Sequence, residues 1–170
     1  MPSNMPDVTP ASPITADLEP AVLALNNRHA EELAWLEPEE LSHLIAESFY
    51  APRIGNLEAF LIAFDQDAEY DSPNFLWFKA RYPRFVYVDR IVVAVPARGR
   101  GHARSLYNDL FERAARAGHD IVVCEINSDP PNPGSEAFHA ALGFSHVGEA
   151  RIHGGKKAVR YFARSLGPKV

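Results

Sequence analysis

The sequence predicts an α/β (α+β) protein in which helices flank one mixed sheet, and three observations carry the prediction. An apolar, β-branched run at 85–95 leads through the turn Pro96-Ala97-Arg98-Gly99-Arg100-Gly101 into a helical pattern, with apolar residues at Ala103, Leu106, Tyr107, Leu110, Ala114 and Ala117. That is a strand, a tight turn and a helix in succession. Two amphipathic segments and a hairpin precede it. A second strand–helix pair and two closing strands follow it.

In chain order, residues 1–10 are polar and Pro-rich and read as a flexible tail. A short strand is expected at 11–15. Pro20 suits a first helical position, and Val22, Leu25, His29, Leu33 and Leu36 recur at helical spacing, predicting a helix of about four turns. Pro38 opens a second helix with Leu41, Leu44 and Ile45 on one face. Residues 49–54 and 57–64 flank Gly55-Asn56 and predict a hairpin. The excursion 65–84 carries Tyr70, Phe75, Trp77, Phe78 and Tyr82. A loop of that length inside a domain is expected to be a lid or a specificity wall, with a local mini-core that covers a sheet edge, or a packed cover at a dimer contact, as the alternative. Asp89-Arg90 interrupts the apolar strand, and charges there need partners. Gly118 closes the central helix. A strand at 121–126 carries Glu125, a Pro-rich turn covers 127–133, and a helix at 135–142 ends at Gly143. Strands at 144–152 and 157–163 are joined at Gly154-Gly155.

Composition bounds the function. The 170 residues suit one domain, expected over 11–170. A net charge of -5 argues against a general nucleic-acid surface. Cys124 is the single cysteine, so no internal disulfide forms. His102, His139, His146 and His153 lack tight ligand spacing, and no metal is expected. The first residues have no basic and apolar leader pattern, and no apolar run approaches the roughly 20 residues of a membrane span. A cytoplasmic protein without membrane or nucleic-acid partners is the expectation.

The turn at 98–104 is chemically the most telling stretch. Gly99 and Gly101 allow a sharp turn and leave no Cβ between backbone and ligand. The first amides of the following helix lack intrahelical partners, and the helix dipole is positive there. Arg98, Arg100 and Arg104 add charge. Together these read as a phosphate cradle. A Walker A loop is excluded, since Gly-Lys-Ser/Thr is absent, and a dinucleotide fingerprint is excluded because Arg104 holds the third glycine position.

Arg98-Gly99-Arg100-Gly101-His102-Ala103 resembles the Arg/Gln-x-x-Gly-x-Gly/Ala motif of the GCN5-related N-acetyltransferases. Asn132, Ser135, Phe138, Leu142, Gly143 and Phe144 resemble that family's second motif, with Ser135 in place of Ala and His139 in place of Tyr. The resemblance covers roughly 14–165. It implies a mostly antiparallel sheet with splayed central strands and acetyl-CoA as co-substrate. It implies that Ile91, Val92 and Val93 hold the pantetheine arm, and that Arg98, Gly99, Arg100, Gly101, His102, Ala103 and Arg104 hold the pyrophosphate, with Asn132 also at the cofactor. An amine would attack the thioester directly. Glu125, in its Cys-Glu-Ile context, is then the first candidate for general base and Asp89 the second; His139 would be the acid. Asn26, Tyr70, Asp71 and Trp77 are expected on the acceptor side. The acceptor is a small-molecule or peptide amine, and a homodimer is one expected state. A catalytically silent acyl-CoA-binding module is the alternative from another class.

Overall fold

The computed structural model describes residues 10–167; most of the tail expected at 1–10 lies outside them. Seven strands form one sheet in the order β1-β2-β3-β4-β5-β7-β6. They are β1 (Ala11–Pro13), β2 (Pro52–Ile54), β3 (Ala59–Asp65), β4 (Val86–Val93), β5 (Ile121–Asp129), β6 (Ser145–Ile152) and β7 (Lys157–Ser165). Five helices accompany them: α1 (Glu19–Arg28), α2 (Pro38–Glu47), α3 (Pro73–Lys79), α4 (His102–Arg116) and α5 (Pro133–Ala141). The mixed, mostly antiparallel sheet expected from the sequence is present. The chain forms two compact units, one of Met1–Ile62 with Arg90–Leu110, the other of Ala63–Asp89 with Phe111–Val170.

In the first unit, β1 pairs antiparallel with β2, Ala11 opposite Ile54, and β2 with β3, Ile54 opposite Ala59. The turn between β2 and β3 holds four residues rather than the two expected, with Gly55 and Leu57 both at positive φ. Helix α1 is shorter than predicted. It spans 10 residues and stops at Arg28, although the apolar period continues to Leu36. Two side chains explain the stop. Asn26 Nδ2 donates to the Ala34 carbonyl at 3.0 Å, while Asn27 accepts from the Leu36 N–H and donates to the Leu36 carbonyl, each at 3.0 Å. The asparagines give the chain beyond Arg28 a non-helical set of hydrogen bonds. Helix α2 restarts on a capping box in which the Glu37 N–H donates to Glu40 Oε1 at 3.0 Å, with Pro38 at the first position.

In the second unit, β5 and β7 pair antiparallel from Ile121↔Ser165 to Asp129↔Ala158, and β6 pairs antiparallel with β7 on its other side. Strand β5 runs three residues past the expected end, so the Pro-rich turn is confined to its tip. The parallel ladder of β4 on β5 within this unit comprises Val86↔Val122 and Tyr87↔Val123; Val88 and Asp89 lie past its end.

The excursion 65–84, expected as a long loop, contains α3. Phe75 and Phe78, three apart, form its inward face and are fully buried. They pack on Phe85, Tyr87 and Tyr161 with ring centroids 5.1 to 6.3 Å apart. Of the two expectations for these aromatics, the local mini-core is the one that Phe75 and Phe78 follow.

Candidate active site

The first unit carries the Gly-rich turn. A single 3-10 turn, Val95–Ala97, connects β4 to it. Gly99 and Gly101 have φ of +82° and +79°, a left-handed geometry that glycine adopts without strain. No atom lies within 4 Å of where a Cβ would stand at either position. Arg98, Gly99, Arg100, Gly101 and Arg104 are exposed, and Ala103 is half-buried. The ladder of α4 begins where the Ser105 N–H donates to the Gly101 carbonyl at 3.0 Å, so the preceding amides of the first turn have no partner in the helix. Open backbone, a helix start and exposed guanidinium groups fit a phosphate polyanion. The His102 ring sits beside Glu58: Nε2 approaches Oε2 to 2.7 Å, without the alignment of a hydrogen bond. Of the residues expected at the pantetheine arm, Val92 is buried, and Ile91 and Val93 are half-buried on β4.

Asn26 departs from the acceptor role expected of it. It is fully buried, and its Oδ1 accepts from Arg90 Nη1 at 2.7 Å, while its Nδ2 serves Ala34 and Asn27. This buried pair answers the requirement that Arg90 be partnered.

The second unit holds the carboxylates. Glu125 Oε2 accepts from the Tyr87 hydroxyl at 2.7 Å, and Asp89 Oδ1 accepts from the Tyr70 hydroxyl at 2.5 Å. Tyr87 and Asp89 alternate along β4 and so share a face. The third phenol, Tyr161, stands opposite Glu125 on β7 and donates to Asn74 Oδ1 at 2.9 Å. Enclosure of the Glu125 carboxyl pushes its pKa up to about 8, and the nearby Asp89 charge adds to this; the Tyr87 hydroxyl, the residue's own N–H and Lys157 oppose it. Burial, then the Glu125 and Asp89 charges, hold Tyr87 well above the usual phenol range, and burial pushes Tyr161 to about 12. A carboxyl poised near 8 among neutral phenols can take up a proton and release it again near physiological pH.

His139 lies on α5 between the rings of Phe138 and Phe144, with centroids 5.4 and 5.3 Å away. Its Nδ1 donates to the Ser135 carbonyl at 2.7 Å. Burial lowers its pKa, against the pull of that carbonyl, so the ring favours the neutral form and is a poor source of a proton. Asn132 caps α5, its Oδ1 accepting from the Ser135 N–H at 3.1 Å, and its amide group is exposed.

Of the residues assigned to the acceptor in this unit, Asp71 is exposed, whereas Tyr70 is turned to Asp89. Trp77 is locked in place. It stacks on Tyr161 at 4.1 Å, carries the Arg81 guanidinium at 3.8 Å on its ring, and lies against Gly148. A groove of about 490 Å³ lies at the ends of β5, β6 and β7, lined by Ser128, Asp129, Glu149, Arg151, Ala158 and Val159 among others. None of the residues expected at the site lines it. Among the described residues, no helix is long and apolar enough to cross a membrane, and no three His, Cys, Asp or Glu side chains cluster as metal ligands.

Sequence reasoning missed Tyr87, Asn74 and Tyr161. Tyr87 looked like one more apolar residue of a strand. The available signal was register: β4 beside β5 puts Tyr87 level with Val123, two residues before Glu125.

The first unit thus holds a Gly-turn cradle at a helix start, and the second a half-buried carboxyl on β5. The family model described as acetyltransferase (GNAT) family matches residues 24–144, and the chain belongs to that family. No curated protein matches the sequence. Among solved structures, the ribosomal-protein-S18-alanine N-acetyltransferase of Escherichia coli is similar with a TM-score of 0.69 at 15% identity, covering 95% of this chain and 96% of that one. The Brucella melitensis ribosomal-protein-alanine N-acetyltransferase gives 0.69 at 18%, over 92% and 99%. Arabidopsis thaliana NAA60, solved in complex with acetyl-CoA, gives 0.69 at 15%, over 92% and 97%. At these identities the likeness is one of fold.

Proposed function

We propose that this chain, acting as one domain over 11–170, transfers the acetyl group of acetyl-CoA to a primary amine, with Glu125 as general base. The observation that carries the reading is the Glu125 carboxyl, half-buried on β5, hydrogen-bonded by Tyr87 and raised to about 8 by desolvation. Acetyl-CoA, when bound, supplies a thioester-activated acetyl group that the neutral amine takes, releasing CoA. The residues at Gly99 to Arg104 would hold the pyrophosphate through backbone N–H groups and arginines, and the backbone of Ile91 to Val93 would hold the pantetheine arm. Glu125 in its carboxylate form accepts the proton that a protonated amine must lose before it can attack. Since only that form acts, turnover rises as pH climbs through about 8. Asp89 acts on Glu125 through its charge rather than as the base. The acceptor is a small-molecule or peptide amine.

Calorimetry with acetyl-CoA, and CoA release against a panel of small amines and peptide N-termini, test the reading. Binding should raise Tm in a concentration-dependent way. Gly101→Val, which puts a β-branched residue at a φ of +79°, should remove most of that rise. Failure of the parent protein to bind acetyl-CoA sinks the proposal. One observation favours the silent acyl-CoA-binding module: His139, at the family's acid position, is buried and favours the neutral form. Binding of acetyl-CoA without CoA release from any amine would support that reading.

A further inference from the structure

The phenols around Glu125 and the charge of Asp89 form an arrangement that proton abstraction alone does not require. Tyr87 is fully buried on β4, and its hydroxyl reaches Glu125 Oε2 at 2.7 Å. A buried phenol must hydrogen-bond to something, and by donating here it stabilises the charged carboxylate. Asp89, two residues on and on the same face, places a second negative charge nearby, which favours the protonated carboxyl. Tyr70 in turn holds Asp89 by a hydrogen bond of 2.5 Å.

We propose that Tyr87 is a positioning residue for Glu125: it commits Oε2 to the phenol, so fixing how the carboxyl is presented to the acceptor's ammonium group, and works against Asp89, so that the two β4 residues together set the charge state of the carboxyl. The proton passes from the ammonium nitrogen to the carboxylate, breaking an N–H bond and forming an O–H bond, and no covalent bond forms between protein and substrate. Tyr87 on β4 is hydrogen-bonded to Glu125 and Tyr161 on β7 stands opposite it; Asp89 on β4, which Tyr70 holds, and Lys157 on β7 act on it through their charges, and the residue's own N–H also bonds the carboxyl. Tyr161 is committed to Asn74 and Lys157 acts by charge alone. Among these side chains, Tyr87 is the hydrogen-bond donor to the carboxylate.

The inference rests on the reading of Glu125 as base, and its test does not need the acceptor. The Glu125 carboxyl carbon is followed by ¹³C NMR in the ligand-free protein across pH, with Glu125→Gln identifying the resonance. Tyr87→Phe should raise the midpoint by about one pH unit, the loss of one hydrogen bond to a charged group. Asp89→Asn should lower it. A midpoint that Tyr87→Phe leaves in place or lowers overturns the proposal. Should Tyr87→Phe fail to fold, Asp89→Asn decides, and a midpoint unmoved or raised there overturns it. With an acceptor found by the amine panel, the acidic limb of kcat/KM should move with the carboxyl titration. A limb that stays in place while the titration moves removes Glu125 as base and leaves the titration result standing, so the two readings fail separately.

Discussion

Glu125 acts in opposite directions on stability and on the proposed turnover. In the unfolded chain it ionises near the ordinary value of 4.5; folded, it holds its proton until about 8. Between those limits the folded state binds more protons. The contribution to stability is therefore full below about 4.5 and is lost as pH rises through about 8. Glu125→Gln abolishes this loss. At pH 8 the variant should melt a few degrees above the parent, on the order of 1 kcal/mol or more, with the gain fading towards pH 5. The same variant should lose about 10²-fold in turnover if Glu125 is the base. Melting curves at pH 5 and 8 and one rate assay read both effects. A variant no more stable than the parent at pH 8 would contradict the raised carboxyl.

At the scale of elements, one close contact joins β6 to α3. Strand β6 slips register between His146 and Gly148, and a Cβ at Gly148 would stand 2.4 and 2.6 Å from Trp77 Cζ2 and Cη2. The indole cannot yield easily, being held between Arg81 and Tyr161. Gly148→Ala should cost about 1–3 kcal/mol, and Trp77→Leu in the same chain should recover part of it. Chemical denaturation of the single and double variants checks this, and a neutral Gly148→Ala would contradict the packing. The contact also shows where sequence reading stopped. The strand–turn–helix at 85–117 and the closing strands were legible because local pattern and turn chemistry agree there. The early end of α1 was not, because Asn26 and Asn27 act through carbonyls and amides of residues 34–36. The helix within 65–84 was hidden because aromatic side chains look alike whether they line a core or a ligand. Of the candidate site, Glu125 and the Gly-rich turn were candidates from sequence alone, whereas Tyr87 required the register of β4 on β5.

For the whole molecule, charge is the governing quantity. The chain carries a net charge of -5, which should repel a polyanionic ligand at long range. Arg98, Arg100 and Arg104, exposed together at one turn, reverse the sign locally. Acetyl-CoA affinity should therefore fall as ionic strength rises from about 0.05 to about 0.5 M, because exposed charges are screened. Replacing the three arginines with alanine should weaken binding and flatten that dependence. Titration calorimetry at several salt concentrations measures both, and a dependence as steep in the triple variant as in the parent would remove the arginines from the cradle.

The segment between α1 and α2 carries one more consequence. The Leu36 amide belongs to no helix or strand, yet it is tied to the Asn27 side chain, and the neighbouring Asn26 is fully buried on Arg90. Isotope exchange with solvent requires that tie to open. The Leu36 amide should accordingly trade its hydrogen for deuterium at the pace of a secondary-structure element. Seen by its clock rather than its shape, this stretch of loop counts as part of the scaffold.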